Sequence, residues 1–404
     1  VGRIFYGWWI VSACLVIAVI SWGLAIFGTG VYLHAIAQTR GWSVGSISAA
    51  ITVAVLLSSV ASAFSGPAIG RYGPRSVMTT GAFLLAAGIY LIGQVREPWH
   101  AYLAFSLASL GYACLSVTTI TATLSPWFEK HQGRAVSIAM LGASIGGMTS
   151  TPLLLFAIGY WGLERTMLLS AFVALAVILP LSLFVLRKSP AELGLYPDGE
   201  KPAVVGSKMP TRRWRKAEAL QTSRFVSIVI AFALGLGVQV GFLTHHVTLS
   251  VPALGATGAA LIVSITAVAA FLGRVALARW ADRVDLRLTA ASVLVVAASS
   301  LAAIAIVPGA WMLIAASVVY GLTTGNVTTL SPIIVRREFG AEVFASIYGI
   351  GWMCIGFASA LGPAMFGWLY DYFGGYREAL VFAAMLDVVA AVAVYVGRPK
   401  EALS

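Results

Sequence analysis

The sequence predicts an all-α membrane protein with twelve spanning helices in two related six-helix halves. Three observations predict it: an apolar composition, twelve apolar runs of spanning length, and an internal repeat at a shift of 212 residues. Of the 404 residues, 59% are hydrophobic and 10% charged, and the mean hydropathy is +0.91. Soluble domains carry about 25% charged residues, so the missing charge is accounted for by lipid. Cys14, Cys114 and Cys354 lie inside apolar stretches, which leaves neither a disulfide framework nor a Cys-rich metal site; no cofactor or metal is expected.

Runs of about 20 apolar residues read as spans. They start near Tyr6, Ile47, Val77, Ala101, Ala135, Met167, Phe225, Thr257, Leu288, Ala310, Phe344 and Ala379. The first is flanked as a spanning helix rather than a signal peptide, so it is expected to direct insertion itself. The stretch 187–224 is rich in Lys, Arg, Pro and Gly. It reads as a cytoplasmic linker between an amino-terminal bundle, 1–186, and a carboxyl-terminal bundle, 225–404.

With both termini in the cytoplasm, the inner segments hold twenty-one Lys and Arg, nine of them between Arg187 and Arg224. The outer loops hold four, Arg40, Arg96, Arg165 and Arg377. That asymmetry fixes the expected orientation and accounts for the formal charge of +11 without a nucleic-acid partner. The cluster from Arg212 to Lys216, with Trp214, suits anionic lipid headgroups instead.

At the 212-residue shift Arg71 meets Arg283, Arg75 meets Arg287, His34 meets His246, and Trp161-Gly162 meets Phe373-Gly374. Such self-similarity marks duplicated bundles. The loop Gly66-Pro-Ala-Ile-Gly70-Arg71-Tyr-Gly73-Pro-Arg75 resembles the signature of the major facilitator superfamily, Gly-x-x-x-Asp-Arg-x-Gly-x-Arg. Its repeat partner keeps Asp282, Arg283 and Arg287, while Gly70 stands where the pattern has an acid. Cations near helix ends face partial negative charge, so these residues read either as a gate latch or as ordinary topogenic charge.

Span 5 opens with Trp127-Phe128-Glu129-Lys130-His131-Gln132-Gly133-Arg134-Ala135 and continues to Ala139, Gly142 and Gly146. This resembles the span 5 signature of the monocarboxylate transporters, with Trp127, Phe128, Lys130, Ala135, Ala139, Gly142 and Gly146 in agreement. Tyr6-Gly7-Trp8-Trp9 resembles the same family's opening of span 1. Gly142 and Gly146, at i and i+4, read as a packing face rather than a binding face.

Arg274 is the cation of the spans that water does not reach easily, and a charge at depth faces a cavity or a partner. A guanidinium matches a carboxylate in bidentate fashion; the bland reading is a side chain that snorkels or pairs with Asp282. The resemblance to monocarboxylate transporters, and to the related oxalate:formate antiporters, implies an anion-binding arginine in span 8. Position 270 is Ala270 and span 11 has no lysine, so one buried cation suits one carboxylate.

Tyr112 and Tyr320, each beside a glycine, can offer a phenol to a carboxylate oxygen, or serve as aromatic packing. Asn326 and Trp352 are candidates of the same kind. For proton coupling the candidates are His245, His246 and His34, since histidine titrates near neutrality; Asp387, in the peripheral last span, is discounted. The function expected is secondary transport of a small monocarboxylate of the lactate or pyruvate class, coupled to a proton by alternating access. The rivals are exchange of other organic anions and efflux of drugs or cations. No enzymatic motif is present. The expected setting is a bacterial inner (plasma) membrane, and a monomer is implied by the resemblance.

Overall fold

The computed structural model describes residues 5–128, 131–199, 215–280, 284–339 and 341–398, with backbone alone at 132, 133, 278, 280 and 341–346. Among them nine helical stretches are long and apolar enough to cross a bilayer. Three of these, 44–93, 132–180 and 223–280, run to 50, 49 and 58 residues. A helix of 50 residues would reach ~75 Å, more than twice a ~30 Å hydrocarbon core. Each is broken once, at Gly73 (φ +81°), Gly162 (φ +80°) and Gly255 (φ +67°). A side chain at Gly73, with ψ at 163°, would sit in a backbone region open almost only to glycine. Counting each broken stretch as two helices gives twelve.

The helices are α1 (Tyr6–Arg40), α2 (44–72), α3 (74–93), α4 (Pro98–Leu124), α5 (132–161) and α6 (163–180). They continue as α7 (223–254), α8 (256–280), α9 (Leu286–Ile306), α10 (Ala310–Phe339), α11 (Ala341–Phe373) and α12 (Arg377–Val396). Their starts fall within about four residues of the sequence expectation, because flanking polar residues locate a span to within a turn. The repeat extends to backbone conformation: Gly162 and its mate Gly374 both take positive φ, +80° and +74°.

Two helices are irregular. α1 contains a π-helical turn at Gly23–Phe27. α4 is interrupted at 114–116, and the freed Ala113 carbonyl accepts from the hydroxyls of Ser65, Ser116 and Thr119 at 3.1, 3.0 and 3.1 Å. In lipid such a carbonyl has no water to turn to, so the three hydroxyls make the break tolerable.

The chain forms two compact units, Val1–Trp42 with Val53–Ser207, and Ser43–Thr52 with Lys208–Ser404. In the first, α1 crosses α5 where Gly142 lies against the Leu15 carbonyl and Gly146 against that of Val19, as the packing reading of that pair expects. α3 meets α4 in the same way, Gly88 on the Ala108 backbone and Gly111 on Leu85. In the second unit Gly362 of α11 lies on the Gly237 carbonyl of α7.

The two motifs that carry the closer family resemblance meet in the first unit. Trp127 and Phe128 stand 5.7 and 5.0 Å, centroid to centroid, from Tyr6 and Trp8. Phe5 joins both, and Arg134 lies over the Trp8 ring at 5.4 Å. A Cβ on Gly7 would fall 2.8 Å from the Phe128 ring. Trp127 donates to the Arg187 carbonyl and Tyr6 to that of Val185, so the cluster fastens α1 and the loop before α5 to the end of α6.

Gly111→Val is expected to lower stability by about 1–3 kcal/mol or more, because backbone rather than a flexible side chain stands in the way. Gly159→Ala, whose new methyl meets open space, is expected to be neutral or to stabilise by about 0.5–1 kcal/mol. Thermal unfolding midpoints of the two variants in detergent, against the native chain, check the pair.

Candidate substrate and proton site

α8 and α10 of the second unit touch along three glycines. Gly273 lies on the Leu322 carbonyl; a Cβ on Gly321 would stand 2.6 Å from the Thr266 carbonyl oxygen, and one on Gly325 2.5 Å from that of Ala270. With no side chain between the backbones, Arg274 is laid across α10. Its Nε donates to the Gly325 carbonyl at 3.2 Å, and a Cβ at 325 would meet its Cγ at 2.6 Å. The same carbonyl accepts from Thr328 and Thr329. Arg274 lies 18 residues into α8, roughly 27 Å along the helix, with roughly 9 Å remaining. It is half-buried, with its aliphatic stem fixed and its charge deep in a span.

Next to Gly321 of this seam, Tyr320 is 2% exposed and its ring lies 4.5 Å from that of Phe242. Phe242 in turn lies 4.6 Å from His246, whose Nε2 is 3.1 Å from the Ser317 hydroxyl. Tyr320 and His246 thus meet through Phe242 between α7 and α10, while Arg274 lies further along α10, at Gly325. Asn326 donates to the Leu322 carbonyl at 3.1 Å, while its Oδ1 is buried without a partner.

Trp352 and His245 make other contacts within the second unit. Trp352 packs on Tyr348 at 5.8 Å beside the core that holds Phe225 and Phe339. His245 is 1% exposed and lies between Tyr376, Pro363 and Ser48. Tyr112 and His34 belong to the first unit, where Tyr112 meets Trp22 edge-on at 5.0 Å and His34 Nδ1 is buried without a partner.

Of the signature-loop residues, Asp282 and Arg283 lie outside the described residues. Arg71 is exposed over the Tyr72 ring. Arg75 donates to the Leu186 carbonyl at 2.7 Å. Its repeat mate Arg287 is 2% exposed and uses all five N–H groups. Nε and Nη2 hold the two Glu338 oxygens at 2.6 and 2.8 Å, and the others reach Ser227, Val394 O and Arg224 O. That bidentate fork ties the ends of α7, α9, α10 and α12 together.

Sequence reasoning passed over two groups here. Asp387, discounted as peripheral, is 1% exposed, beside Gly235, with both carboxyl oxygens lacking a hydrogen-bond partner among the described residues. Its position as an acid midway along a span was the available signal. Tyr376, the partner of His245, gave none, because the contact joins residues 131 apart. Among the described residues no group of His, Cys, Asp and Glu is placed to hold a metal.

The family model described as Major Facilitator Superfamily matches residues 13–257 and 245–404. The chain belongs to the Major Facilitator Superfamily. It is a membrane transporter, not an enzyme. Its relatives include monocarboxylate transporter 11 of Homo sapiens, 27% identical over 98% of this chain and 83% of that one. Monocarboxylate transporter 13 of Rattus norvegicus is 25% identical over 78% and 71%. The aspyridones efflux protein of Emericella nidulans is 23% identical over 81% and 64%. Among solved structures, the nucleoside transporter NupG is similar with a TM-score of 0.75 at 14% identity, over 96% of this chain and 100% of that one. At that identity the likeness is one of fold.

Gly325→Ala is expected to weaken substrate binding by about 1–3 kcal/mol through displacement of Arg274. Gly237→Ala, where a Cβ finds its nearest neighbour at 3.5 Å, is expected to leave binding unchanged. Substrate titration of the two purified variants checks this.

A second prediction concerns Asp285, which caps α9 and pairs with Arg398. Burial opposes its ionisation, but the Leu288 amide, the Arg398 guanidinium and its charge, and the Arg287 amide outweigh that and hold the carboxyl below its ordinary 3.8. A depressed value stabilises the fold above the ordinary pKa, and that contribution is lost as pH falls through the lowered one. Unfolding midpoints should therefore drop between pH 4 and the acid limit in the native chain, and drop less in Asp285→Asn.

Proposed function

We propose that this transporter carries small monocarboxylates of the lactate or pyruvate class together with a proton, by alternating access. The observation that carries the reading is Arg274, a guanidinium deep in α8 and steadied on the Gly325 carbonyl. A single delocalised cation at that depth suits one carboxylate, because a second anionic group would stay unpaired in low dielectric. Asn326, next to Gly325 on α10, supplies an amide for the rest of a small polar molecule, while Tyr320 packs on Phe242 in the neighbouring core. Relatives named as monocarboxylate transporters support the substrate class. Cation efflux would call for acids around the Arg274 region, where α8 contributes none.

We place both termini in the cytoplasm, on the distribution of Lys and Arg, and two six-helix bundles on either side of a cytoplasmic linker at 187–224. Histidine is the group suited to take up and release a proton near neutral pH, and His245, His246 and His34 are the candidates.

The test is uptake of labelled L-lactate into proteoliposomes under an inward proton gradient. Native protein is expected to accumulate lactate above empty vesicles. Arg274→Ala should lose about 1.5–3 kcal/mol of binding, roughly ten- to a hundredfold in transport efficiency. Arg274→Lys should fall between, since an ammonium keeps the charge without the bidentate fork. Equal flux in native and empty vesicles would exclude lactate.

A further inference from the structure

The second unit has an open cavity of about 310 Å³ at the end remote from Arg287, walled by Thr248, Pro252, Ala305, Tyr370, Tyr376 and Arg377 among others. At about 30 Å³ per molecule, it has room for several waters. Tyr376, which forms part of that wall, has its hydroxyl 2.9 Å from His245 Nδ1. His245 Nε2 lies 3.1 Å from the Pro363 carbonyl oxygen and 3.2 Å from the Ser48 hydroxyl.

These distances fix the direction of each bond. The Pro363 carbonyl can only accept, so Nε2 carries the hydrogen of the neutral ring. Nδ1 is then the acceptor, and the Tyr376 O–H donates to it. The Ser48 hydroxyl gives its own hydrogen to the Val44 carbonyl at 2.7 Å, so its oxygen is a further acceptor near Nε2. The phenol thus stands between a solvent-sized cavity and the free lone pair of a buried imidazole.

We infer that Tyr376 relays protons between this cavity and His245, which makes the cavity the port of the proton and Tyr376 a positioning residue for coupling. The inference rests on the reading of the chain as a proton-coupled carrier and adds a route to it. In the inward step a hydronium in the cavity gives a proton to the Tyr376 oxygen and becomes water. The phenol's original proton passes to Nδ1; two O–H bonds break, one on the hydronium and one on the phenol, while a new phenol O–H bond and an N–H bond form. The resulting imidazolium donates from Nδ1 to Tyr376 and from Nε2 to Pro363, so both its N–H groups have acceptors.

Among the described residues of this unit, the titratable and charged groups around His245 are few. They are His246 on its own helix, Tyr370 and Asp371 on α11, and Tyr376 and Arg377 at the start of α12. Residues 43–52, clasped here through Gly45 N–H to Asp371 at 2.9 Å, contribute only hydroxyls and backbone. Asp371 is the one acid among them. The cavity-facing Arg377 is exposed, where water screens its charge.

The test uses the full chain in lipid nanodiscs with ¹⁵N-labelled histidine, and His245→Gln assigns the resonances. The native protein is expected to show His245 in the Nε2–H form when neutral and to exchange protons with bulk water. Tyr376→Phe keeps the ring and removes the hydroxyl; Ala305→Phe leaves the hydrogen bond and fills the cavity. Each should slow exchange at His245 by roughly tenfold or more, the equivalent of one hydrogen bond. In proteoliposomes both should slow proton-driven L-lactate uptake while lactate-for-lactate exchange without a gradient stays near native.

Exchange at the native rate in both variants would overturn the relay, and an Nδ1–H neutral ring would overturn the bonding on which it stands. Should the native chain move no lactate, the substrate reading fails, and the exchange rates still decide the relay.

Discussion

Helices in lipid are not driven together by water, so their association rests on close van der Waals fit and on polar groups that find partners within the bundle. In this protein the fit is made by glycine. Gly142 and Gly146 seat α5 on α1, Gly88 and Gly111 join α3 to α4, Gly362 joins α11 to α7, and Gly273, Gly321 and Gly325 join α8 to α10. At each seam a carbonyl or amide of one helix occupies the space that a Cβ would take on the other. The α8–α10 seam lets the Arg274 stem lie flat across Gly325 and brings its Nε within reach of a backbone carbonyl.

The polar groups divide by depth. At the linker end of the second unit, Arg287 is saturated by Glu338, Ser227 and two carbonyls, and Arg398 pairs with Asp285. Those contacts lock helix ends together. Toward the middle and the opposite end, the polar side chains include Gln239, His245, His246, Asn326 and Asp387, all buried, and the half-buried Arg274. Buried polar atoms without partners, such as Asn326 Oδ1 and His246 Nδ1, are few in folded proteins and call for an explanation. On the function proposed above, the substrate and its proton supply one.

The aromatic motifs pack on each other within the first unit. Tyr6-Gly7-Trp8 and Trp127-Phe128 carry the resemblance to monocarboxylate transporters, yet the structure joins them to each other at the end of α6. They hold the first unit together, and Arg274 in the second unit carries the reading of substrate class. Evidence for family and evidence for substrate thus come from different parts of the molecule.

The sequence by itself determined the class of the protein, the number of spans and their limits. Lipid imposes a fixed length of apolar helix, and that rule is written locally in composition. The repeat was also legible, because duplication leaves like residues at one shift; that Gly162 and Gly374 both turn left-handed was seen only in the structure. Arg274 stood out for the same local reason, a charge where hydrocarbon demands none. Its seat on Gly325, the saturation of Arg287 and the bond from Tyr376 to His245 were decided only by the tertiary structure. Each joins residues 51 to 131 positions apart, and which faces of two helices meet depends on packing that no single stretch of sequence specifies.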